Sequence, residues 1–143
     1  MNSEMTDLAR EAVACVPIEE WPTGAKLILP DGYLGVFLCG MPSDNPGTKN
    51  VQVYDGKGIV WFRGAELLPD LESPATIGCL LHLVREVWDD NGAFTQPHPH
   101  FLDEKGQSIW VVTVGGRDLP MPSKGQHNEA HALVAALKAG GGR

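Results

Sequence analysis

Apolar and polar positions alternate with two different periods along the chain, and the places where the period changes divide it into elements. Thr6 can cap a first helix in which Leu8, Ala12 and Cys15 or Val16 recur at helical spacing, ended by Pro17. The runs Ala25 to Leu29 and Tyr33 to Cys39 flank Pro30-Asp31-Gly32. An Asp-Gly pair supplies the positive φ of a tight turn, so these runs predict an antiparallel hairpin. Val51 to Tyr54 and Ile59 to Phe62 flank Asp55-Gly56-Lys57-Gly58 and predict a second one. Between the hairpins, Gly40 to Lys49 is a run of turn formers that predicts an exposed, mobile loop.

In the second half, Ser73-Pro74 marks a helix start, because a hydroxyl can cap free amides and proline at the first position has no donor to lose. Ile77, Leu80, Leu81, Val84, Val87 and Trp88 then form an apolar stripe, and Asn91-Gly92 offers a left-handed closing residue. Phe94 to Phe101 alternates but contains Pro97 and Pro99, which lack ladder donors, so it belongs on a sheet edge or in an extended connector. Ser108 to Val114 is rich in β-branched and aromatic residues and predicts a central strand. A loop over Gly115 to Gln126 leads to a last helix from Glu129 to Ala139, with Leu133, Val134 and Leu137 inward and Gly140-Gly141-Gly142 fraying beyond it. The expected fold is α+β: an antiparallel sheet of two N-terminal hairpins plus a C-terminal strand pair, packed with three helices. The chain reads as a single domain, 1–143, divisible into 1–70 (helix plus hairpins) and 71–140 (an α-β-β-α unit).

The length of 143 residues suits one hydrophobic core, and 43% apolar with 20% charged residues is ordinary globular usage. Glu4, Asp7, Arg10 and Glu11 interrupt the place where an export leader needs an apolar stretch, and no run reaches a membrane span, so a cytoplasmic location is expected. Cys15, Cys39 and Cys79 are odd in number and set among apolar neighbours, which suits reduced core thiols. The net charge of −7 is concentrated in residues 1–72, which carry −6 of it. An acidic field repels nucleic-acid phosphate and favours a partner with a basic surface.

Ser73 to Leu81 (Ser-Pro-Ala-Thr-Ile-Gly-Cys-Leu-Leu), continued by Val84-Arg85-Glu86-Val87-Trp88, resembles a helix of small proteins of bacteriophages and prophages. Asn128 to Leu137 is similar to their closing helix, and the pair enclosing strands looks like the phage α-β-β-α sandwich type. The likeness covers about residues 71–139. It implies a fold and a phage or prophage origin, with no catalytic residue carried over. His131 stands where that pattern has an acidic residue, and the proline-rich Gln96 to His100 also departs from it.

Chemistry-bearing groups are scattered. His82, His98, His100, His127 and His131 have Asp103, Glu104 and Glu129 among their neighbours in sequence. Metal binding needs three or four ligands converging; His98 and His100 share one face of an extended strand, and His131 is the candidate third. Asn128 is the better cap of the last helix, which leaves His127 outside it, and His127 to His131 lacks the glutamate placement of a zinc-protease motif. His82 falls with Gly78, Arg85 and Asp89 opposite the apolar stripe. Cys79, one turn before His82, reads as a packed thiol. Gly56-Lys57-Gly58 lacks the spacing of a phosphate loop, and Trp21, Trp61, Trp88 and Trp110 read as core or interface anchors.

The expected function is that of a non-enzymatic phage or prophage accessory protein. It binds a host protein or complex with a basic surface, has no cofactor, and makes no direct contact with nucleic acid or membrane. Its sharpest form is an inhibitor of a host defence complex. Contact candidates are Ser43, Asp44 and Asn45 in the loop, with Glu66, Asp70 and Glu72. The alternatives are a metal-dependent enzyme or ligand-binding domain using His98, His100 and a third group, and a virion or assembly component.

Overall fold

The structure is a computed structural model, described for residues 3–45, 47–102, 106, 108–118 and 128–141. It is α+β, with three α-helices among the described residues and antiparallel strands in two sheets. The chain divides into two compact units, Met1–Cys79 and Leu80–Arg143.

In the first unit, helix α1 spans Ser3–Cys15. It already runs from Ser3, whereas a cap at Thr6 predicts Asp7 as the first helical residue; Thr6 thus lies inside the helix, which buries Met5, Leu8, Ala9 and Ala12. A 3-10 turn at Ile18–Glu20 follows, and Trp21 closes it by donating its indole N–H to the Val16 carbonyl at 2.7 Å. Strands β1 (Lys26–Ile28), β2 (Leu34–Gly40), β3 (Val51–Tyr54), β4 (Ile59–Phe62) and β5 (Leu68–Pro69) form one sheet in the order β4-β3-β2-β1-β5. Both predicted hairpins are present, each turned by a glycine in the left-handed region, Gly32 (φ 88°) and Gly56 (φ 96°).

One sheet face supplies the core with Leu27, Phe37, Val51 and Val53, all essentially inaccessible to solvent. The register between β2 and β3 shifts between Phe37 and Cys39, so Leu38 is a bulge residue. Without it Cys39 would share the inner face with Phe37. With it, Cys39 stands opposite Gln52 on the outer face and is exposed, its thiol donating to Gln52 Oε1 at 3.2 Å. The expectation of three packed thiols is corrected at this residue; Cys15 and Cys79 are half-buried.

Helix α2 spans Pro74–Val87, and the Ile77 amide donates to the Ser73 carbonyl in its first turn. Its buried face is Thr76, Leu80, Leu83 and Val84; Ile77 and Leu81, expected there, are half-buried. Thr76 is buried because its hydroxyl accepts the Lys26 amide (3.0 Å) and donates to the Lys26 carbonyl (3.2 Å), which satisfies strand β1. The left-handed residue after the helix is Asp89 (φ 51°), not Gly92.

In the second unit, β6 (Phe94–Leu102), β7 (Ser108–Val114) and β8 (Arg117–Asp118) form a sheet with β7 central and β6 on an edge, as its prolines require. Helix α3 (Glu129–Gly141) packs on β6 and β7 and buries Leu133, Val134 and Leu137. It continues through Gly140, predicted to fray. A side chain at Gly140 would collide with Val87 and with the Trp88 indole, which donates to the Ala136 carbonyl at 2.9 Å.

Candidate functional site

The inner-face row Gly40–Val51–Phe62 ends the sheet of the first unit, and beyond it the chain builds an open, polar cavity of about 240 Å³. Glu19, Ser43, Asp44, Asn45, Thr48, Asn50, Gly64 and Ala65 line it. Two glycines admit Glu19. A β-carbon on Gly40 would lie 2.5 Å from Glu19 Cα, and one on Gly64 would lie 2.8 Å from Glu19 Oε2.

Asn50, only 6% exposed, frames the opposite wall. Its Nδ2 donates to the Met41 carbonyl at 2.7 Å, its Oδ1 accepts the Gly64 amide at 3.2 Å, and its own carbonyl accepts the Met41 amide at 3.0 Å. The loop above it is organised from within. The Asn45 amide donates to Ser43 Oγ (3.2 Å), Asn45 Oδ1 accepts the Gly47 amide (2.9 Å), and the Thr48 amide donates to the Asn45 carbonyl (3.0 Å). Beyond Gly40, which ends β2, the loop expected over residues 40–49 is exposed where it is described, and these side-chain hydrogen bonds shape its turns and tie it to Asn50.

Ser43, Asp44 and Asn45 thus meet in one place with Glu19. Glu66 is adjacent in sequence but spent: its carboxylate binds Arg63 at 2.5 Å, which holds the Glu66 carboxyl below its ordinary value. Asp70 and Glu72 lie apart from the cavity in the turn before α2, where Asp70 Oδ1 accepts the Glu72 amide at 3.1 Å. Glu19, Thr48, Asn50, Gly64 and Ala65 are wall residues that sequence reasoning missed.

A second feature borders the first. Strand β4 is an edge strand, and its ladder phase follows from the hairpins: the Leu29 amide bonds the Tyr33 carbonyl and the Phe37 amide bonds the Ala25 carbonyl. By the antiparallel alternation, Val36 turns its amide and carbonyl to Tyr54, so Tyr54 has none to give Ile59. The Asp55 amide bonding the Gly58 carbonyl at 3.1 Å sets the same phase from the other end. Ile59 and Trp61 therefore direct their backbone donors and acceptors away from β3, outward in the plane of the sheet at its open edge. On the outer face beside that edge, Leu34 (49% exposed), Tyr54 (45%), Ile59 (59%) and Trp61 (38%) are accessible. Nothing within 59–62 guards this edge: it holds no proline, charge or bulge.

The other candidates are placed separately. His82 Nε2 lies 3.0 Å from Glu86 Oε1 on the exposed face of α2. His131 Nδ1 lies 2.8 Å from Asn128 Oδ1, which also accepts the His131 amide and so caps α3. His98 and His100 lie in β6 where its register shifts between Pro97 and Leu102; their side chains, and Asp103, Glu104 and His127, lie outside the described residues. Burial pushes the Cys79 thiol up from its ordinary value, with Sγ 3.8 Å from the Pro22 carbonyl, which keeps it protonated and a poor nucleophile. Among the described residues no three His, Cys, Asp or Glu side chains gather in a metal-binding group, and no helix is long and apolar enough to cross a membrane. Comparison with known protein families, with curated proteins and with solved structures gave no match.

Proposed function

We propose that this chain is a non-catalytic protein-binding domain, an accessory protein of the phage or prophage type that acts in the host cytoplasm on a partner with a basic surface. One observation carries the reading: Glu19 and Asp44 line the same open cavity, and neither is ion-paired among the described residues. A lysine or arginine of a partner supplies what the cavity lacks, an N–H donor with positive charge, and Ser43, Thr48 and Asn45 offer it further acceptors. Basic surfaces that hold nucleic acid are the natural class of such partners, so inhibition of a host defence complex by occupying its nucleic-acid groove is the most specific form of the proposal.

The test is purification of the tagged chain from host cells, identification of what accompanies it, and titration of that partner against the wild type and a Glu19→Lys/Asp44→Lys variant. A complex that weakens with salt and is lost in the variant supports the reading. A complex indifferent to both changes, or a chain that binds DNA or RNA directly, contradicts it.

A further inference from the structure

The geometry points to strand addition as the way the partner is held: an extended segment pairs antiparallel with β4, alternating apolar residues over Ile59 and Trp61, and places an arginine or lysine in the cavity. The inference rests on the cavity reading above and adds the conformation and sequence pattern of the bound segment.

Three independent features converge on it. First, the outward amides and carbonyls of Ile59 and Trp61 form two bonding positions on an edge that lacks the guards usual for exposed strands. Second, in an antiparallel pair directly opposed residues share a face, so segment residues opposite Trp61 and Ile59 extend the exposed apolar row of Leu34, Tyr54, Ile59 and Trp61. Third, counting on from Trp61, the segment residue three places earlier in its own chain lies past Phe62, where β4 ends and the chain enters the 3-10 turn Gly64–Glu66, whose Gly64 is a wall residue of the cavity. Three steps reverse the face, so this side chain projects on the side of Gly40 and Val51, the side from which Glu19 approaches. The span is roughly 10 Å at strand rise, within one short segment.

Charge selects this occupant over a second copy of the chain. In self-pairing that uses all the outward groups of both edges, Ile59 faces Trp61 of the other copy, and Lys57 then falls opposite Arg63. Like charges oppose there, both copies carry a net charge of −7, and both cavities keep their uncompensated carboxylates.

The experiment uses the whole chain and a labelled probe peptide, acetyl-Arg-Gly-Thr-Val-Thr-Val-Thr-amide. Its valines face Trp61 and Ile59 when its arginine lies past Phe62, beside the turn that starts at Gly64. Two controls accompany it, one with glutamate for arginine and one N-methylated at both valines. Binding is read by anisotropy, and amide exchange is followed at Ile59 and Trp61. The expected result is saturable binding that protects both amides and is about tenfold tighter for arginine than for glutamate. That preference disappears in Glu19→Gln/Asp44→Asn, and the methylated peptide does not bind. Binding that survives methylation, or saturation without protection of the two amides, overturns strand addition.

Ile59→Pro, which removes an outward donor and no bond to β3, separates the two proposals when applied to the complex of the previous subsection. Loss of that complex in the charge-reversed variant but not in Ile59→Pro overturns strand addition and leaves the cavity reading standing. Loss in Ile59→Pro alone overturns the cavity reading and the place given to the arginine.

Discussion

Replacing Asn50 removes the clamp between the loop and the turn at Gly64, and the structure sets the size of the effect. In Asn50→Ala the Met41 carbonyl loses a donor at 2.7 Å and the Gly64 amide loses an acceptor at 3.2 Å. A net intramolecular hydrogen bond contributes about 1 kcal/mol, and a buried group left unpaired costs about 1–3 kcal/mol. Met41 is exposed, so water reaches its carbonyl, and only the half-buried Gly64 amide carries part of the larger penalty. The expected loss is about 2 kcal/mol. Asn50→Asp costs more at neutral pH, because the carboxylate still accepts from Gly64 but sets an oxygen against the Met41 carbonyl. That opposition raises the introduced acid's pKa in the folded state, so its deficit is smallest below the unfolded value of about 4 and grows as pH rises through the folded one. Urea unfolding followed by tryptophan fluorescence measures both variants. If Asn50→Ala unfolds within about 0.5 kcal/mol of the wild type, the account of how the cavity is built is wrong.

Three further outcomes follow from the same kind of accounting. Thr76→Val keeps side-chain volume but strands the Lys26 amide and lowers stability by about 2 kcal/mol, whereas Thr76→Ser keeps both bonds and costs about 1 kcal/mol for one buried methyl; denaturant titration showing the reverse order refutes the role of the hydroxyl. Backbone amides of Gly115 and Gly92 hold the Asp90 carboxyl below its ordinary 3.8. Its contribution to stability is complete above that value and drains away as pH falls through the lower folded value, so Asp90→Asn flattens the acid limb of a melting-temperature profile, and parallel limbs contradict this. Thiol mapping with a small alkylating reagent at neutral pH labels exposed Cys39 first and half-buried, pKa-raised Cys79 much later; equal rates contradict the placement of the bulge and the burial.

Local chemistry was legible in the sequence wherever neighbours along the chain decide the outcome. The turns at Gly32 and Gly56 follow from Asp-Gly pairs, the start of α2 from Ser73-Pro74, and the edge position of β6 from Pro97 and Pro99. Contacts distant in sequence were not. Thr76 displaces Ile77 from the buried face of α2 because it satisfies a strand fifty residues away, which no apolar periodicity encodes. The Leu38 bulge inverts the face of Cys39 within a run, Tyr33 to Cys39, that has no polar position to mark the change of face. Three of the eight wall residues were readable, since Ser43, Asp44 and Asn45 sit in an obvious loop. Glu19 was not, because its seat depends on the missing β-carbons of Gly40 and Gly64, two glycines that the sequence presents only as loop and strand-end residues. The openness of β4 emerges only once the sheet order puts it at an edge.

Amide exchange on the dilute, unliganded chain tests most directly that β4 is an unoccupied binding edge. Val60 and Phe62 bond to β3 and should exchange slowly, whereas Ile59 and Trp61 should exchange faster by orders of magnitude, giving a two-residue alternation along the strand. Uniform slow exchange over residues 59–62 would contradict the account, because the edge on which partner binding depends would then already be filled.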